Sequence, residues 1–146
     1  MSIALNKFLK IEGYSSVKLI FLETKHYLLT ATINGKSGRF ILDTGASSSC
    51  ICTSLEKNFN IISKETIEKA SSATSEISNT KISKNNTIQI GKWKNKINLI
   101  TFNMSYINHA LNEKKINSVS GIIGADVLKK SKAILDYNLN NLYLKL

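Results

Sequence analysis

The chain has 146 residues, 42% of them apolar and 21% charged, and its 20 basic against 10 acidic side chains leave a net charge of +10. That length suits one domain that buries a single core and is too short for two duplicated lobes. No stretch approaches the ~20 apolar residues that a membrane-spanning helix needs. The start, Met1 to Glu12, lacks the apolar segment and small-residue cleavage site of a secretory signal, so a cytoplasmic protein without a transmembrane segment is expected.

Val17 to Leu22 and Tyr27 to Ile33 are rich in branched and aromatic residues and predict strands. Asn34-Gly35 is a hairpin turn signal leading into a strand over Gly38 to Leu42. That strand stops abruptly at Asp43-Thr44-Gly45-Ala46-Ser47. A carboxylate there must be hydrogen-bonded or neutralised by a neighbouring acid, because a lone charge beside Ile41 and Leu42 is costly. Gly45 can take backbone angles closed to other residues and bring main-chain N–H groups to the acid, and Thr44 can turn its hydroxyl outward to a partner strand. Asp and Gly are also ordinary turn formers, so the motif alone is equally a plain turn.

Cys50 and Cys52 follow two apart, on one face if the segment is a strand. Their α-carbons then lie near the upper limit for a disulfide, and with His26 and His109 far off in sequence they make a poor zinc site. Reduced, partly buried thiols are expected, which fits a reducing compartment. Thr53 to Glu56 has capping-box spacing and predicts a short helix or turn around Ser54 to Asn58. Ile88 and Ile90, then Gly91, then Ile97 to Phe102 predict a second hairpin. In it Lys92, Lys94 and Lys96 alternate around Trp93 and Asn95. Such a basic row could suit phosphate contacts, but a solvated edge strand is the expected reading, and nucleic acid is not the expected partner. Tyr106 to Lys115 is expected to be helical, and a closing hairpin of Ala133 to Tyr137 and Asn141 to Leu146 turns at Asn138 to Asn141.

Near the end, Val119-Ser120-Gly121-Ile122-Ile123-Gly124-Ala125-Asp126-Val127-Leu128 pairs a short apolar strand with glycine and a helix start. An apolar strand ending in Asp-Thr-Gly-Ala, followed much later by two aliphatics, glycine, a short helix and a final strand, resembles the single-domain retropepsin-like aspartic proteases. The resemblance covers residues 26–146 as the protease-like domain and leaves residues 1–25 as an N-terminal extension. It implies a mainly β fold, a retropepsin-like closed barrel with one or two short helices and one lobe per chain.

It further implies a homodimer, since each chain in that family supplies one catalytic aspartate. The only other Asp residues, Asp126 and Asp136, are not followed by Thr-Gly. Asp43 is therefore the expected catalytic residue and Thr44 and Gly45 the support of its turn, with no metal and no cofactor. Ala46, Ser47 and Ile123, with Ala73 and Thr74 of a flap near Ala70 to Ser75, are the substrate-binding candidates. The implied partner is a peptide or protein substrate. The chain departs from the family in having no glycine between Gly45 and Gly91, where the flap tip is usually glycine-rich, and serines at 47 to 49 where several members carry acids. Three activities follow as alternatives: an aspartic endopeptidase, an inactive dimer of the same fold that binds a peptide or protein partner, and a basic nucleic-acid-binding barrel.

Overall fold

The computed structural model describes residues 2–65 and 80–146. The expected flap, with Ala73 and Thr74, lies outside the described residues. In chain order the elements are α1 (Ser2–Ile11), β1 (Tyr14–Lys18), β2 (Ile20–Phe21), β3 (Tyr27–Ile33), β4 (Lys36–Leu42), β5 (Cys50–Cys52), a single 3-10 turn (Thr53–Leu55), β6 (Lys64–Glu65), β7 (Lys81–Ile90), β8 (Trp93–Phe102), α2 (Ser105–Glu113), β9 (Gly121–Ile123), α3 (Ala125–Lys130), β10 (Ile134–Asp136) and β11 (Asn141–Lys145).

The larger sheet runs β2-β3-β4-β9-β5-β8-β7-β6, and pairing of β3 with β7 closes six of these strands into a barrel. Alternation builds it. Leu29, Ala31 and Ile33 of β3, Phe40 and Leu42 of β4, and Ile88 and Ile90 of β7 turn inward to one cluster with Trp93, Leu99 and Ile123. Each fully buried Leu, Ile or Phe among these contributes about 1.5–3 kcal/mol. Leu28, Ile41 and Cys50 point the other way, to a second cluster completed by Met104 and Leu111 around α2.

The chain thus has the expected mainly β closed barrel, with one helix more than expected. The expected strand over Val17 to Leu22 is broken at Leu19, whose N–H donates to the Asn140 carbonyl at 2.7 Å as the chain passes from one sheet to the other. On one side of the break β1 pairs with β11, in a three-stranded sheet β1-β11-β10; on the other, β2 edges the barrel. The Asn34-Gly35 turn forms as expected, with φ of 49° and 84° at the two residues. The short helix or turn expected around Ser54 to Asn58 is the 3-10 turn at Thr53–Leu55, but no side chain caps it. Glu56 instead accepts from the Ser63 hydroxyl. Lys94 and Lys96 do share the solvent side of β8, and the Lys96 ammonium donates to Thr87 Oγ1 at 3.0 Å. Among the described residues no helix is long and apolar enough to cross a membrane.

Candidate active site

Strand β9 lies between β4 and β5, parallel to the first (Leu42 opposite Ile123) and antiparallel to the second (Cys50 opposite Ile122). The two strands joined by residues 43–49 are therefore prised apart by a segment from far along the chain. Their connection cannot be a simple hairpin and must loop over the end of β9.

Asp43 heads this loop and is exposed. Its N–H donates to the Ile123 carbonyl at 2.9 Å, its carbonyl accepts from Ala46 N–H at 3.2 Å, and its Oδ1 accepts from Gly45 N–H at 2.9 Å. An anion that accepts a main-chain N–H at the open end of a strand is held in place while remaining accessible. Gly45 does not use a left-handed conformation, contrary to one sequence-based reason for it. Its value is proximity: a Cβ there would stand 3.3 Å from Asp43 Oδ1. In the same loop, Thr44 and Ser47 are exposed like Asp43, and Ala46 is half-buried. Among the described residues the Thr44 hydroxyl has no hydrogen-bond partner.

Ile123 lies inside the barrel beneath this loop. Its side chain is 0% exposed, inside the barrel cluster, and only its carbonyl reaches the loop. The parallel pairing with Leu42 turns both side chains inward, which a sequence position alone does not reveal.

The second glycine motif holds the loop from below. The Ala46 carbonyl accepts from Ala125 N–H at 2.7 Å, and a Cβ on Gly124 would come within 2.5 Å of that carbonyl oxygen. Gly121 is as constrained, since its Cβ would lie 2.0 Å from the Cys50 carbonyl oxygen. Both glycines are thus explained by close approach of main chain to main chain.

Sequence reasoning missed three further residues here, Ser49, Asp126 and Asn108. Ser49, 0% exposed, donates its hydroxyl to Asp126 Oδ1 at 2.7 Å and its N–H to Asp126 Oδ2 at 2.9 Å, while its Oγ accepts from Gly124 N–H at 2.8 Å. Asp126 Oδ1 also accepts from Val127 N–H at 2.8 Å, in the first turn of α3. The only signal in sequence was an acid directly after Gly-Ala, which reads equally as a favourable charge at a helix start. Asn108 of α2 was missed likewise. Its side-chain amide pairs both ways with Val119, at 2.8 Å and 3.2 Å, and so ties α2 to the segment that enters β9.

Cys50 and Cys52 are free and buried. Burial pushes the Cys50 thiol up to about 12, helped by the charges of Asp126, Cys52 and Asp43 and opposed by a hydrogen bond to the Ile122 main chain. The unfolded chain sheds this proton near pH 9 and the folded one does not. Stability is therefore fully present below about pH 9 and falls as pH rises toward 12. The difference between wild-type and Cys50→Ala unfolding free energies is expected to be constant up to about pH 9 and to shrink above it. Iodoacetamide at pH 8 is expected to leave Cys50 unmodified until denaturant is added, as read by mass spectrometry.

A family profile described as aspartyl protease matches residues 29–127. In structure the chain is similar to a retropepsin-like aspartic protease from Rickettsia conorii, with a TM-score of 0.61 at 16% identity over 90% of each chain. It is also similar to the retroviral protease-like domain of Ddi1 from Leishmania major, with a TM-score of 0.55 at 14% identity over 80% of this chain and 86% of that one. EIAV protease, in complex with the inhibitor HBY-793, gives a TM-score of 0.55 at 17% identity, over 80% of this chain and 98% of that one. No curated protein is detectably similar in sequence.

Proposed function

This chain belongs to the aspartyl protease family, in its retropepsin-like branch, and on that premise we propose that it is a homodimeric aspartic endopeptidase whose site forms when two Asp43 carboxyls meet across a two-fold axis. The observation that carries this is the employment of the other aspartates. Asp126 is taken up by Ser49 and Val127, and Asp136 Oδ1 accepts the N–H groups of Asn138 and Leu139 in the closing turn. Asp43 alone is an exposed aspartate on a loop built to present it, so its acid partner is the same residue of a second copy.

The chemistry needs that pair. Two carboxyls in contact cannot both ionise and so share one proton, as holds for aspartic proteases generally. The ionised member takes a proton from a bound water, the protonated member hydrogen-bonds the scissile carbonyl, and water adds to the peptide carbon without a covalent enzyme intermediate. Thr44, whose hydroxyl has no partner among the described residues, is assigned to bond across the axis. Ala46 and Ser47, in the same loop as Asp43, are assigned to the substrate main chain, with Ala73 and Thr74 as further substrate-binding residues. An extended peptide then binds as an added strand, with no metal and no cofactor. Ile123 serves the site through its carbonyl.

The test is concentration. Cleavage of a mixed peptide library per chain is expected to fall as the protein is diluted through its dissociation range, and to return on concentrating. Cleavage strictly proportional to chain concentration at all dilutions refutes the shared site. Saturable peptide binding without any cleavage reassigns the cleft to a non-cutting peptide binder.

A further inference from the structure

We infer that Ser49 and Asp126 are positioning residues for Asp43, setting the place of its carboxyl by clamping the far end of its loop; this rests on the protease reading above. The loop of residues 43–49 is fastened at three points to one short segment, residues 123–126. Asp43 N–H meets the Ile123 carbonyl, the Ala46 carbonyl meets Ala125 N–H, and Ser49 meets both Gly124 and Asp126. The third is the only one made by side chains, and it carries three of the five hydrogen bonds between the two segments.

Its chemistry is suited to rigidity. The Ser49 hydroxyl is satisfied as donor and as acceptor, and the carboxylate takes three donors, one from Ser49 main chain, one from its hydroxyl and one from Val127 N–H. A fully satisfied buried polar network has one geometry, whereas a half-satisfied one leaves unpaired donors and acceptors that drive rearrangement. Asp43 Oδ1 is held within its own loop only through Gly45 N–H, so the place of the carboxyl depends on where the loop as a whole is fastened. Ser49 also hands its carbonyl to Ile100 N–H at 3.1 Å, which links the clamp to β8 and the barrel wall.

Asp126→Asn grades the clamp rather than deleting it. Its amide oxygen still accepts from the Ser49 hydroxyl and Val127 N–H, but its NH2 then faces the Ser49 N–H, donor against donor. The series wild type, Asp126→Asn, Ser49→Ala is therefore a graded loss.

The experiment compares these three at a concentration where sedimentation shows full dimer and at a temperature well below each melting point. Since a ~1 Å misplacement of a reacting group costs about 100-fold, kcat is expected to fall about 10- to 100-fold in Ser49→Ala and less in Asp126→Asn, with KM within about twofold. Amide hydrogen exchange is read beside it. The Gly45 amide, which reports the Asp43 carboxyl, is expected to exchange faster in the same order, while Leu29 and Leu99 in the barrel wall stay unchanged. Unaltered kcat and unaltered Gly45 exchange, with only a lower melting temperature, overturn the assignment. Should Ser49→Ala not fold, Asp126→Asn decides alone. Should the wild type cleave nothing, the protease reading falls while Gly45 exchange still decides the clamp.

Discussion

Asp43→Asn is expected to reduce kcat by roughly 10³-fold or more while leaving the protein folded and its assembly state unchanged. General acid–base catalysis of this kind typically supplies about 10²–10⁴-fold, and an amide can serve neither as the base nor as the shared acid. The fold does not depend on the charge. The loop is held by the Asp43 N–H and carbonyl, which the substitution keeps, and the Asn oxygen still accepts from Gly45 N–H. Stability is therefore expected to change by less than about 1 kcal/mol, in line with a surface substitution. Peptide affinity measured by titration should survive. Cleavage by this variant at a rate close to that of the wild type removes Asp43 from the mechanism, and with it the shared site.

Gly121→Ala is expected to be the most destabilising single-methyl change in the site. A Cβ there would fall 2.0 Å from the Cys50 carbonyl oxygen and 3.1 Å from the Phe40 ring. The carbonyl is main chain of β5, held by the pairing of Ile51 with Gly121, and Phe40 is fully buried, so neither has room to give. Overpacking of a well-packed core typically costs about 1–3 kcal/mol, and a forced strand separation lies at or above the upper end. A loss of about 3 kcal/mol lowers the melting temperature of a chain of this size by roughly 10 °C. Gly45→Ala is the informative contrast, because its Cβ meets only the Asp43 Oδ1, at 3.3 Å. It should leave the melting temperature nearly untouched and depress kcat. Equal melting temperatures for Gly121→Ala and wild type would mean that β9 does not thread so tightly between β4 and β5.

Much of this was legible in the chain itself, and for physical reasons. Strand periodicity, the Asn34-Gly35 turn and the Asp43-Thr44-Gly45 stop are local signals, governed by residues that touch their near neighbours. The hairpins over β3–β4, β7–β8 and β10–β11 follow from them. The helix α1 was not foreseen, because Ser2 to Ile11 has no acid in its first turn and belongs to no motif. The split of β1 from β2 was hidden too, since Leu19 looks like any strand residue until the Asn140 carbonyl is brought beside it.

That Asp43 ends an apolar strand, with small and hydroxylated residues after it, can be read directly from the chain because the pattern is written in consecutive positions. What holds it depends on contacts between distant segments. The insertion of β9 between β4 and β5 brings residues 121–126 under residues 43–49 across some 75 positions of chain, and it made Gly121 and Gly124 points of main-chain contact. It also turned Ile123 inward and joined Ser49 to Asp126. Contacts between segments so distant depend on how the sheet closes, and no local preference of either segment encodes that.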